Sequence, residues 1–212
     1  MDIARLCSDM ESLAASDLFL CAGKPASARI QGSIRELAAE VVSEADLADF
    51  VSSRLPAGTE ARLRAERDLD IGVTLEDGER YRLNLYFQRG CLCAAIRRVP
   101  SGELGFDDLH LPAVAQTLAE SPRGLVLITG ATGSGKSTTM AAMLHHINGH
   151  FQRHIVTIED PIEFVHRDRR SVVSQREVGG DTLTFAAALR HVVRQNPHVI
   201  SIGEMSSEER GG

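Results

Sequence analysis

A chain of 212 residues has room for one large or two small domains, each able to bury a core. Its formal charge of -6 argues against a dedicated nucleic-acid binder, whose footprint is basic, and no apolar run approaches membrane-spanning length. The opening Met1-Asp2-Ile3-Ala4-Arg5 lacks the charged-then-apolar order of a secretory signal, so a cytoplasmic protein is expected.

Ile3, Leu6, Cys7, Met10 and Leu13 recur at helical spacing, which predicts an N-terminal amphipathic helix. Leu18 to Cys21 and Ser27 to Gln31 read as short strands around a Gly23-Lys24-Pro25 turn. Ser43 is a natural N-cap for a second helix lined by Leu47, Phe50, Val51 and Leu55. Asp70 to Leu75 alternates Ile71, Val73 and Leu75 inward, and Glu76-Asp77-Gly78 makes a tight turn into Arg80 to Phe87. In that strand Tyr81, Leu83, Leu85 and Phe87 share one face, and Arg80, Arg82 and Asn84 the other. Cys91 to Val99 completes the meander. The four cysteines, Cys7, Cys21, Cys91 and Cys93, form no C-x-x-C pair and read as reduced packing residues. Residues 1–100 therefore form a small α+β domain. Residues 101–112, rich in Gly, Asp and Pro, are the linker to residues 113–212.

The second half carries the most informative stretch. Leu125, Val126, Leu127 and Ile128 form a bounded apolar run, as expected of a strand buried on both faces of a parallel sheet. Gly130-Ala131-Thr132-Gly133-Ser134-Gly135-Lys136-Ser137 follows, the pattern G-x-x-x-x-G-K-[ST]. Gly130, Gly133 and Gly135 let the backbone turn so that successive amides can cradle an anion at the start of a helix. Lys136 would reach the β and γ phosphates, Ser137 would ligate Mg²⁺, and Thr138 would close the first turn. The competing reading is a glycine-rich turn that merely contains Lys-Ser; the strand-loop-helix setting favours the phosphate site. Met143, Leu144 and Ile147 continue the helix into a core.

Strands follow at His154 to Ile158, Ser171 to Gln175 and His198 to Ile202, with a helix over Leu183 to Arg194. Ligands of open parallel sheets collect at the carboxyl ends of strands, so Glu159, Asp160, Glu163 and Glu204 could converge there. Acids so placed can hold Mg²⁺ or orient the water that attacks a γ-phosphate; singly, each could equally be a solvated strand-end acid.

The runs Leu125 to Thr139, Thr157-Ile158-Glu159-Asp160-Pro161-Ile162-Glu163-Phe164-Val165-His166, Gln175-Arg176-Glu177-Val178, Asp181 to Arg190 and Ile200 to Met205 closely resemble the secretion-superfamily hexameric ATPases. Within that superfamily the resemblance is nearest to PilT-like type IV pilus retraction motors. Ala15 to Leu20, Gly23-Lys24-Pro25, Arg80 to Asn84 and Ile96 to Pro100 look like that family's PAS-like N-terminal domain. The implied fold is α/β, an incomplete RecA-like P-loop NTPase core preceded by a small α+β PAS-like domain.

The resemblance implies a role for each matching residue. Gly130, Ala131, Thr132, Gly133, Ser134, Gly135, Lys136, Ser137 and Thr138 would bind ATP. Ser137, Glu159, Asp160 and Glu204 would hold Mg²⁺, and Lys136, Glu163 and Glu204 would carry the hydrolysis. Glu163 is then the acid acting on the attacking water or the metal, and Glu204 the Walker B acid. Arg82 and Arg97 match basic residues brought toward nucleotide at a neighbouring subunit boundary; from the residues alone they read as a solvated strand face. Implied partners are other copies in a hexameric ring, a full-length relative and an inner-membrane pilus platform protein, with no nucleic acid and no membrane span.

The sequence departs from the family at Met205-Ser206-Ser207, where Met-Arg-Asp is usual, and it stops at Gly212. In the family's fold a further strand lies between the Walker B strand and the phosphate-loop strand, so a chain ending here is expected to lack a central strand, to bind MgATP weakly and to hydrolyse it negligibly. Two functions stay open: a motor ATPase or part of one, and a non-catalytic subunit that joins or poisons rings of a full-length relative. A type II secretion or pilus assembly ATPase is a weaker third reading.

Overall fold

The computed structural model describes residues 1–101 and 104–203. They divide into two compact units, Met1–Val99 and the chain from Pro100 onward.

The first unit runs α1 (Ile3–Ser12), β1 (Ala15–Cys21), β2 (Pro25–Ile30), β3 (Ser33–Val41), α2 (Glu44–Arg54), α3 (Thr59–Glu66), β4 (Asp68–Thr74), β5 (Arg80–Gln88) and β6 (Cys91–Arg98). Its six-stranded sheet has the order β3-β2-β1-β6-β5-β4 with every neighbouring pair antiparallel. Alternation puts Leu18, Leu20, Tyr81, Leu83, Leu85 and Ile96 on one face, where they pack with Cys7 and Met10 of α1 and Leu47 and Phe50 of α2. Helix α2 starts where Ser43 closes a capping box: its hydroxyl accepts from the Asp46 amide at 3.1 Å, and the Asp46 carboxylate accepts from the Ser43 amide at 2.8 Å.

Two elements of this unit escape pattern reading. Strand β3 is exposed along most of its length, so no buried alternation marks it. Helix α3 buries only Thr59 and Leu63 and has no apolar stripe. The cysteine reading is corrected: Cys21 and Cys93 form a disulfide, with Cα atoms 4.1 Å apart, whereas Cys7 and Cys91 are free. The cause is topological. Strands β1 and β6, distant in sequence, lie side by side in a register that pairs Cys21 with Cys93.

The second unit contains α4 (Ala113–Glu120), α5 (Lys136–His150), β7 (His154–Glu159), β8 (Val172–Glu177), α6 (Phe185–Val192) and β9 (Val199–Ile202). The three strands form a parallel sheet in the order β8-β7-β9. The middle strand β7 is buried from Ile155 through Glu159, as a strand covered on both faces should be. Met143, Leu144 and Ile147 of α5 pack with Ala119 and Ile155. Helix α6 begins at Phe185, two residues later than the sequence pattern suggests, because the Thr184 hydroxyl caps it by accepting from the Ala187 amide.

The expected phosphate-loop strand is corrected too. Leu125, Val126 and Leu127 are exposed, Leu125 at 83%, and no ladder includes them. Only Ile128 of the four packs against the core. An apolar run becomes a central strand only when strands pair with it on both sides, and no strand among the described residues pairs with this one.

Candidate functional site

The loop between the apolar run and α5 is shaped by glycine. A Cβ on Gly130 would lie 2.6 Å from the Ser134 hydroxyl, so a larger residue there would force the Ser134 side chain to turn away. Gly135 caps α5 at a φ of 91°, left-handed backbone that ends the loop and starts the helix in one step. The Lys136 ammonium folds back over the loop and donates to the carbonyls of Gly130 at 3.0 Å and Ala131 at 2.9 Å. It thus holds a positive charge above a turn that leads into a helix N-terminus, two features that both favour phosphate.

The opposite wall comes from the carboxyl end of β7 and the segment that follows it. Ser137 at the start of α5 lines one pocket together with Glu159, Asp160 and Glu163, and Gly203 after β9 closes the same wall. The sheet therefore brings together the sequence-predicted Ser137 and three of the four predicted acids. The fourth, Glu204, lies outside the described residues.

The three acids are not equivalent. Asp160 and Glu163 are exposed, and Glu159 is buried. Glu159 accepts from the Thr157 hydroxyl at 2.6 Å, the Gln175 amide at 3.1 Å and the Glu163 backbone N–H at 3.3 Å. Burial pushes its carboxyl above the usual carboxylate range, the Thr157 and Gln175 bonds offset that in part, and the nearby Glu163 charge adds to it. His166 lines the pocket as well. Burial, helped by neighbouring His145, pushes its imidazole down to about 4, and its Nδ1 is buried with no partner among the described residues.

A hydroxyl with exposed carboxylates is a hard-oxygen donor set that suits Mg²⁺ retaining water and phosphate ligands, the way this ion binds beside nucleotides. Ser137 and Asp160 fit that ion. Among the described residues no group of three His, Cys, Asp or Glu side chains forms an all-protein metal cage.

Arg82 and Arg97 belong to the first unit, where they face each other across the β5–β6 ladder. Arg97 donates through Nε and Nη2 to one Asp17 oxygen at 2.8 and 2.6 Å, and Arg29 donates to the other at 3.1 Å. Burial raises the Asp17 carboxyl, but the Ser16 hydroxyl and the Arg97 guanidinium outweigh it and hold the pKa below the usual range. The outer sheet face thus carries a basic belt of Arg29, Arg97 and Arg82 around one buried acid.

Sequence reasoning passed over Thr157, Gln175, Glu177 and His166. The available signal was position: Thr157 and Gln175 lie within the last three residues of β7 and β8, and Glu177 ends β8. Polar side chains facing a strand end are invisible to hydrophobic periodicity.

The Type II/IV secretion system protein family matches residues 8–210. A twitching motility protein of Neisseria gonorrhoeae is 40% identical over 184 residues, 87% of this chain and 49% of its own length. The type IV pilus retraction ATPase PilT of Pseudomonas aeruginosa is 38% identical over 209 residues, 99% of this chain and 61% of its own. A crystal structure of the pilus retraction motor PilT with bound ADP matches at a TM-score of 0.90 and 39% identity, over 98% of this chain and 61% of that one. The chain spans between 49% and 61% of the length of these relatives.

Proposed function

Because the chain belongs to the type II/IV secretion system protein family and is PilT-like, we propose that it is the nucleotide-binding part of a type IV pilus motor ATPase that binds MgATP, hydrolyses it to ADP and phosphate and powers pilus retraction. The observation carrying this reading is that Ser137, at the end of the glycine loop, shares one pocket with Glu159, Asp160 and Glu163. Phosphate-binding and acid-bearing segments so juxtaposed are what hydrolysis of a triphosphate needs.

Each residue then has a task. Residues Gly130 to Thr138 hold the phosphates, and Lys136 leaves its two loop carbonyls to neutralise the β and γ oxygens. Ser137 and Asp160, with Glu204, would hold Mg²⁺, which when bound supplies positive charge against the phosphate oxygens. Exposed Glu163 orients the attacking water and accepts its proton. Arg82 and Arg97 add positive charge to nucleotide on an adjoining copy in a hexameric ring. Residues 1–100 and 113–212 act as two domains joined by 101–112. The assembly works in the cytoplasm against an inner-membrane platform protein; no helix among the described residues is long and apolar enough to cross a membrane.

One observation favours a second reading, a non-catalytic subunit that joins rings of a longer relative. Leu125 to Leu127 expose an apolar backbone segment that a strand from elsewhere would pair. The discriminating experiment is ATP turnover by the chain alone and mixed with full-length PilT, with Lys136→Ala and Glu163→Gln as controls. Turnover that both substitutions reduce by about 100-fold or more supports the motor reading. Turnover indifferent to both defeats it, and suppression of PilT by an inactive chain favours the second.

A further inference from the structure

The segment from Asp160 to His166 carries Glu163 but is neither helix nor strand, so something else must fix its place. Its backbone groups are held by side chains at the ends of two neighbouring strands. The Ile162 N–H donates to Glu177 Oε2 at 2.9 Å, and the Glu163 N–H donates to Glu159 Oε2 at 3.3 Å. Gln175 spans the segment further on: its Oε1 accepts from the His166 N–H at 2.7 Å, while its Nε2 donates to the Phe164 carbonyl at 2.8 Å and to Glu159 Oε1 at 3.1 Å. Glu159 and Glu177 face each other in the β7–β8 register, and both are buried. Two carboxyl groups buried side by side are costly unless donors meet them, and the loop amides are among those donors.

We infer that Gln175 and Glu177 of strand β8 are positioning residues that brace the 160–166 segment and so set where the Glu163 carboxylate stands. Neither touches the reacting atoms. The amides of Ile162 and Glu163 are consecutive, and each is tied to a different strand; the peptide plane between them therefore cannot rotate without breaking a bond to a carboxyl oxygen. Gln175 then ties Glu159 and the far end of the segment to one side chain. A brace of this kind matters because an acid displaced by about 1 Å from the attacking water loses on the order of 100-fold in rate. The inference rests on the reading of Glu163 as the acid that acts on that water.

The test uses the full chain with Glu177→Ala, Gln175→Ala and the conservative Glu177→Gln, which keeps an acceptor oxygen for the Ile162 amide. Two readouts are taken: amide hydrogen exchange across residues 160–166 without nucleotide, and steady-state ATP hydrolysis resolved into kcat and KM. The brace requires that both Ala variants speed exchange at Ile162 or His166 and lower kcat by about 10- to 100-fold with KM within about twofold. Glu177→Gln should recover most of both. Unchanged exchange at Ile162 in Glu177→Ala overturns the inference, as does a loss confined to KM. If the parent chain shows no turnover, the functional reading fails, and the exchange result alone decides whether the brace exists.

Discussion

Within the pocket a single side chain reports on its environment through pH. The His166 imidazole is neutral in the folded chain down to about 4, whereas in the unfolded chain it takes up a proton near 6.5. The depressed value means that its stabilising contribution is complete above 6.5 and is lost as pH falls toward about 4. That loss is worth about 3 kcal/mol. Replacing His166 by Phe removes the titrating group, so the stability of His166→Phe should fall less steeply than that of the parent between these limits. Denaturant melts at several pH values measure the difference; parallel pH profiles would contradict it. Burial acts with the opposite sign on Glu159, whose raised pKa makes it costly when ionised, but that group is common to both proteins.

Among the elements, helix α2 shows how a local rule fixes a boundary. The reciprocal Ser43–Asp46 bonds satisfy two groups that a helix start leaves open. Ser43→Ala should cost about 1 kcal/mol, read as a lower melting temperature of the first unit. A shift of less than about 1 °C would show that the cap is not stabilising. Caps, turns and alternation made α1, α2, β5, β6 and β7 legible in the sequence. Strand β3 and helix α3 were not, because neither buries a periodic face. Leu125 to Ile128 misled in the other direction: its composition is that of a central strand, but strand character is conferred by neighbours. The Cys21–Cys93 bridge was hidden for a related reason, since spacing along the chain says nothing about which strands lie side by side.

In the whole molecule the two units follow different rules, an antiparallel sheet around one core and a parallel sheet whose carboxyl edge holds the acids. The candidate site was legible where its residues are written close together in sequence, as with Ser137 after the glycine loop and with Glu159, Asp160 and Glu163. It was illegible where it depends on side chains of adjacent strands, as with Gln175 and Glu177, or on depth, as with the contrast between buried Glu159 and exposed Glu163. The central claim is that loop and strand-end acids make a single nucleotide site. Its most direct test is calorimetric titration of MgADP and MgATP into the folded chain, with Lys136→Ala beside it. One nucleotide should bind per chain, and Lys136→Ala should weaken binding by about tenfold or more, since a charge-assisted phosphate contact is worth at least about 1.4 kcal/mol. A folded chain that binds no nucleotide, or binds it equally well without Lys136, would contradict the account.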